Sequence, residues 1–253
     1  MGSMRNPVKT DMHPDVPTQS AFSSLSSDLS PDGRGAAGFS ASVLAFGRSG
    51  ETAYTRWGKR ALDLAISAVG LVVLLPLLPL VALAVKLDSP GGPVFYRSVR
   101  LGRNEKPFTF YKFRSMIPGA HESPALIRAR NEAPSPVFKR ADDPRITRVG
   151  RILRRTSIDE LPQILNVLRG DMTLDGPRPP LPEEVERYDP WQRSRLDVTP
   201  GITCLWQVSG RSKLGFDEWM RLDMQYIRNR SLLLDLKILL RTLPAVLSGE
   251  GAY

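Results

Sequence analysis

Cysteine and histidine are nearly missing. One cysteine, Cys204, and two histidines, His13 and His121, are all that 253 residues contain. A lone cysteine excludes an intramolecular disulfide framework and any four-cysteine or Cys₂His₂ zinc site. Two histidines, one of them (His13) inside a stretch rich in Ser, Gly and Pro, leave little room for a Ser-His-Asp triad or a histidine-rich metal centre. An enzyme built on this chain must draw its acid-base and nucleophilic chemistry from carboxylates, arginines or a metal. Acidic residues are also the minority, 26 against 35 Lys and Arg, for a formal net charge of +9.

That charge is unevenly spread. Residues 1–50 carry four basic groups and four acids, so the whole excess falls after residue 50. A basic body of this kind implies an anionic partner: nucleic acid, a phosphorylated small molecule or an anionic membrane face. Ser, Gly and Pro fill 20 of the first 50 positions, and no helical or strand period persists there. Such a segment buries too little apolar surface to offset its ordering entropy, so 1–50 is expected to be a disordered, low-complexity tail. No apolar h-region follows Met1, so no signal peptide is expected.

Residues 64–85, LAISAVGLVVLLPLLPLVALAV, contain no charge. A straight helix of that length spans about 33 Å, roughly one bilayer core. Pro76 and Pro79 interrupt it, each removing an N–H and crowding the carbonyl four residues back. Three positions apart, they are expected to bend the helix in the same sense. Both flanks are basic: Arg56, Lys59 and Arg60 before, Lys86, Arg97, Arg100 and Arg103 after. A spanning helix is expected to have one basic flank; two fit a helix-break-helix that enters one leaflet and returns. A kinked spanning helix and a buried core helix stay open as alternatives.

Beyond the Ser89-Pro90-Gly91-Gly92-Pro93 turn cluster, VFYRSVRL (94–101) and PFTFYKF (107–113) flank a Gly/Asn-containing turn and predict a β-hairpin. Arg97, Arg100, Arg103, Lys106, Lys112 and Arg114 cluster around it. RITRVGRILRR (145–155) places Ile146, Val149, Ile152 and Leu153 on one helical face among five arginines, a basic amphipathic helix. LLLDLKILLRTLPAVL (232–247) is a second amphipathic helix, suited to core packing or to interfacial docking.

Three constellations can carry chemistry. Ser157…Glu160 reads as a capping box, with Pro162 placing the helix start near Ile158 or Asp159. There the Asp159 carboxylate meets backbone N–H groups that keep it ionised, and an oriented carboxylate can attack phosphorus or hold a divalent cation. Gly170–Pro180 is a rigid Pro/Gly loop carrying Arg178, whose planar fork suits bidentate phosphate contact. Thr199–Ser212 offers Trp206 as a stacking face and Arg211 as another phosphate-capable charge. Taken singly, each of the last two reads as an ordinary turn.

In order, GGPVFYRSVRLGRNEKPFTFYKFRSM, DDPRITRVGRILRRTSIDELPQILNVLRGDM, LDGPRPP and TPGITCLWQVSGRS resemble the bacterial sugar transferases, the monotopic polyprenyl-phosphate phosphoglycosyl transferases. The resemblance runs over about residues 56–253. It implies an α+β, mainly helical monotopic membrane protein with a re-entrant helix over 51–88. A cytoplasmic catalytic domain over 89–253, with a small β-hairpin and interfacial helices, would follow. It also implies transfer of a hexose-1-phosphate, glucose or galactose, from a UDP-hexose to undecaprenyl phosphate through a phospho-aspartyl intermediate, with UMP released, as the first step of surface polysaccharide synthesis. Asp159 and Glu160 match the family's Asp-Glu dyad, with Mg²⁺ as its cofactor; Arg114 and Arg178 match its phosphate-binding arginines, joined by Arg211. Pro76 matches the helix-breaking proline. Leu75 stands where the family often has Ser, Pro79 is an additional breaker, and Cys204 stands where Gly is usual. With no multi-span region ahead of the run, the chain resembles the family's minimal catalytic form.

The expected partners are therefore a UDP-hexose, undecaprenyl phosphate and anionic phospholipid at the cytoplasmic face of a bacterial inner membrane. Nucleic acid is not expected, and a homo-oligomer is compatible with this reading. A nucleic-acid-binding protein would account for the charge but not for the uncharged run beside it. A non-catalytic membrane-surface scaffold would account for both, but has no use for Asp159-Glu160 beside rigid arginine loops.

Overall fold

The computed structural model describes residues 52–120, 143–210 and 214–249. The expected tail over 1–50 lies outside them. A π-helical turn, Tyr54–Gly58, leads into α1 (Lys59–Leu74), and α2 (Leu77–Asp88) follows at once. Among the described residues no single helix is long and apolar enough to cross a membrane; the pair reaches that length and apolarity only together, bent by 60°. The break lies at Pro76, which caps α2. Pro79 does not add a second bend. It sits in the first turn of α2, where its missing N–H belongs to the set no helix can bond internally.

The burial of α1 is inverted relative to a soluble helix, whereas α2 buries Val81 and Val85 against Phe113 and Leu153. Asp63 and Ser67 are the buried residues of α1, while Val69, Val72 and Val73 stand about two-thirds exposed, as do Leu80 and Leu83 of α2 to a similar degree. Asp63 faces inward because it has partners there: Oδ2 accepts from the Thr173 hydroxyl and Oδ1 from Leu174 N at 3.1 Å. Arg60 donates to the Val167 and Leu168 carbonyls at 2.5 and 3.0 Å. α1 is thus held to the body by polar contacts, and its apolar side chains face out.

The hairpin forms as expected, β1 (Phe95–Leu101) pairing antiparallel with β2 (Pro107–Phe113). Its turn uses Asn104 at φ 56°, the left-handed region that asparagine tolerates better than most residues. The basic helix is shorter than its periodic pattern: α3 is Arg148–Arg155, capped by the Thr147 hydroxyl on Gly150 N at 3.0 Å. Asp88 at the end of α2 accepts from Val149 N at 2.9 Å, tying the bent pair to the start of α3. Gly150 permits the closest approach, because a Cβ there would lie 2.0 Å from the Ser115 carbonyl oxygen. Leu153 is buried, whereas Ile152, expected on the same face, is exposed.

A 3₁₀ turn, Ile158–Gln163, continues into α4 (Ile164–Arg169). The two Pro/Gly loops are more than turns: β3 (Thr173–Asp175) pairs parallel with β4 (Gly201–Thr203). Short helices α5 (Pro182–Val185) and α6 (Pro190–Arg193) lie between them. α7 (Phe216–Arg228) and α8 (Leu232–Ser248) complete the described chain. The architecture is therefore mixed and mostly helical, with two small sheets. Trp206 is not an open stacking face: it is buried and stacks on Trp219 with ring centroids 4.5 Å apart, within the core that also holds Phe216 and Met220.

Candidate active site

The site begins with a strained residue. Ser157 adopts φ 55°, left-handed, and its side chain makes no cap on the turn that follows. The expected capping box is absent; Glu160 N donates instead to the Ser157 carbonyl at 3.1 Å. A left-handed Ser157 reverses the chain between α3 and the 3₁₀ turn, and Asp159 and Glu160 fall in its first turn. Freed from capping, the Glu160 carboxylate is available to other groups.

Those groups come from the hairpin. Lys112 of β2 places Nζ 2.6 Å from Glu160 Oε1 and 3.7 Å from Asp159 Oδ2. Asn166 fixes β2 against α4, with Nδ2 donating to the Thr109 carbonyl at 2.7 Å and Oδ1 accepting from Tyr111 N at 3.3 Å. Asn166 is fully buried, so this junction is rigid and the reach of Lys112 is set.

Asp159 is only 5% exposed. Burial pushes its carboxyl up to about 6; Lys112 opposes the rise, Glu160 adds to it and Arg154 opposes it. Backbone N–H groups therefore do not dominate its ionisation, as its position at a helix start suggested; desolvation does. Burial also works to raise Glu160, but the Lys112 ammonium, the hydrogen bond it makes and the more distant Arg178 together bring Glu160 below the usual carboxylate range. Two adjacent acids with opposite shifts give two roles, one group held as a firm anion and its neighbour more readily neutralised.

The sequence-identified arginines separate. Arg178 stays half-buried near the dyad, its Nη1 3.6 Å from Glu184 Oε1. Its backbone is fixed by Arg195, whose Nη2 donates to the Arg178 carbonyl at 3.0 Å and lies 2.6 Å from the buried Asp223 carboxylate. Arg114 is buried and turned toward the turn after α2, with Nη2 donating to the Ser89 carbonyl and Nη1 against Gly92. Its side chain makes no hydrogen bond or ion pair to Asp159 or Glu160. Arg211 lies outside the described residues. Sequence reading counted Lys112 only as part of a cationic cluster. Nothing in its spacing marks it, because its approach to Glu160 depends on how the hairpin docks on the 3₁₀ turn. Arg154, which also bears on Asp159, was hidden among the arginines of α3.

The dyad fits a divalent cation of the magnesium type by its donor chemistry. Such ions take one or two carboxylates and complete their shell with water and substrate phosphates. Asp159 and Glu160 supply two hard oxygen donors, and no cluster of three or more acidic, histidine or cysteine ligands exists among the described residues. That two-carboxylate set suits phosphate-bound metal rather than an all-protein cage.

The family model described as bacterial sugar transferase matches residues 54–249. The chain belongs to the bacterial sugar transferase family. The galactosyl transferase CpsE of Streptococcus agalactiae serotype III is 46% identical over 195 residues, covering 77% of this chain and 43% of that protein. The undecaprenyl-phosphate galactose phosphotransferase of Salmonella typhimurium is 42% identical over 206 residues, covering 79% of this chain and 42% of its own length. The UDP-glucose:undecaprenyl-phosphate glucose-1-phosphate transferase of Caulobacter vibrioides is 43% identical over 203 residues, covering 77% and 72%. This chain spans less than half the length of the first two. Within the family match fall α1 to α8 and every described residue of the dyad and its cations.

Proposed function

We propose that this chain transfers a hexose-1-phosphate, of glucose or galactose, from a UDP-hexose to undecaprenyl phosphate, releasing UMP. In this reading Asp159 Oδ attacks the β-phosphorus, a new O–P bond forms, and the bond to UMP breaks with its electron pair leaving on UMP. An oxygen of undecaprenyl phosphate then attacks the same phosphorus and the Asp159 carboxylate departs, giving undecaprenyl diphosphate-hexose. Lys112 and Arg154 hold Asp159 toward its anionic form before attack, and Arg178 adds positive field over the phosphates. A Mg²⁺ held by Asp159 and Glu160 would neutralise charge on the phosphate oxygens. Product of this kind begins surface polysaccharide synthesis.

We place the reaction at the cytoplasmic face of a bacterial inner membrane, with α1 and α2 re-entrant in one leaflet. The 60° bend and the outward valines and leucines support that placement, as do basic residues on both flanks. Keeping the dyad at headgroup height spares the lipid from leaving the bilayer, at about 0.8 kcal/mol per exposed CH₂.

The observation that carries the proposal is the pairing of a buried Asp159 with Lys112-bound Glu160, in a chain 42–46% identical to transferases of these names. The test is UMP release by the full chain in nanodiscs with undecaprenyl phosphate, Mg²⁺ and a panel of UDP-sugars. Release with UDP-glucose or UDP-galactose is expected. No release with any UDP-hexose overturns the reading.

A further inference from the structure

One groove opens beside the dyad that the steps above do not use. It measures about 250 Å³ and runs from Thr156, Ser157 and Glu160 to the last turns of α8. Its walls are mainly hydrocarbon: Leu161 and Ile164 on one side, Ile202 and Val208 on another, Ala245 and Val246 of α8 closing it. Two of its threonines and the carbonyl oxygen of its glutamine already hydrogen-bond within the protein. The Thr156 hydroxyl donates to the Ile152 carbonyl at 2.8 Å. The Thr203 and Thr242 hydroxyls pair at 2.8 Å, and Gln207 Oε1 accepts from Cys204 Sγ at 3.2 Å.

Such a groove suits one class of occupant. A sugar would bring several hydroxyls against walls that are mostly hydrocarbon, and each unmet group carries its desolvation cost. A whole nucleotide sugar needs more room, since pockets enclosing drug-sized molecules run to roughly 300–1,000 Å³. A short hydrocarbon segment fits, as apolar cavities of about 150 Å³ already take benzene. The outer surface points the same way. The turns of α8 that supply Ala245 and Val246 also present Leu240, Leu243 and Leu247 outward, each more than 60% exposed. Leu243, one helical turn before Val246, brings that exposed apolar face beside the groove.

Building on the transferase reading, we propose that this groove holds the first isoprene units of the polyprenyl phosphate acceptor, next to its phosphate. The phosphate then lies toward Lys112 and Asp159, while the remainder of the chain continues past Leu243 and Leu247 into the lipid. The donor sugar takes no part in this groove.

Ala245→Phe and Val208→Trp fill the groove from opposite walls, and neither residue belongs to the dyad or its cations. Two quantities separate donor from acceptor in nanodiscs: exchange of labelled UMP into UDP-hexose without lipid, and KM for undecaprenyl phosphate. Both variants should keep wild-type exchange and wild-type KM for UDP-hexose, while KM for the lipid rises at least about tenfold. A raised KM for UDP-hexose with slowed exchange would show a donor pocket, and an unchanged lipid KM in both variants would show an unused groove; either overturns the proposal. Photolabelling the wild-type chain covers the case of misfolded variants. Farnesyl phosphate with a diazirine on its first isoprene should mark residues 202–208 and 240–249, and marks confined elsewhere overturn the proposal. Failure of the transferase reading shows separately, as a wild type that releases no UMP yet still labels or fails to label at the groove.

Discussion

Lys59 Nζ lies 2.7 Å from Asp235 Oδ2, joining the first turn of α1 to the first turn of α8. Asp235 is fully buried, and Tyr54 and Tyr226 hydroxyls also donate to it. This ion pair is the polar clasp between the helix that exposes its apolar face and the body that carries the dyad. Breaking one partner of a buried pair typically costs about 3–5 kcal/mol.

Lys59→Met should therefore lower unfolding stability by about that amount, as read by denaturant titration in nanodiscs. Lys59→Met/Asp235→Leu should recover part of the loss, because no uncompensated carboxylate then stays buried. Equal stability of Lys59→Met and wild type would mean that the clasp contributes nothing.

Asp175, at the end of β3, faces the same cluster. It is fully buried, and burial pushes its carboxyl up to about 8; Lys59 opposes this, while Asp235 and Asp63 add to it. In the unfolded chain the same group titrates near about 3.9. A folded value above the unfolded one gives stability that is complete below about pH 4 and is lost as pH rises toward 8. Asp175→Asn removes that loss. The gap between variant and wild type should therefore be smallest near about pH 4, widen steadily as pH rises toward 8, and leave the variant melting higher at about pH 9. A gap between them that does not widen with pH contradicts this.

How much of this was legible in sequence differs residue by residue. The hairpin was, because Asn104 supplies a left-handed turn between two β-branched and aromatic runs. The break at Pro76 was, because a proline inside an apolar run removes a specific hydrogen bond. Pro79 was misread: whether a proline bends a helix depends on which side of the break it falls, and sequence does not fix that. Strands of three residues such as β3 and β4 show no alternation, so their pairing was hidden. Ser157 carried the spacing of a capping box, but its left-handed backbone turns the side chain away. That Asp159 and Glu160 share one turn was legible; the approach of Lys112 to them from another element was not.

On the proposed re-entrant placement, the break at Pro76 has a topological consequence. With Ala53→Cys and Lys106→Cys introduced separately in a Cys204→Ser background, both thiols should resist an impermeant reagent in intact cells and react after permeabilisation. Pro76→Leu alone should move position 53 to the outer side, since it restores a helix long and apolar enough to span. Pro79→Leu alone should leave the pattern unchanged. Labelling of positions 53 and 106 from opposite sides in the otherwise native chain would leave a kinked spanning helix instead.

The central claim is that Asp159 becomes covalently bonded to the sugar phosphate. Incubating the chain with UDP-hexose and Mg²⁺, without lipid, and analysing its peptides by mass spectrometry tests that claim most directly. One added hexose phosphate on the peptide containing Asp159 is expected, discharged by adding undecaprenyl phosphate and absent from Asp159→Asn, in which the near-isosteric amide keeps the fold. An Asp159→Asn variant that still turns over, or a wild type that forms product with no adduct at Asp159, would contradict it.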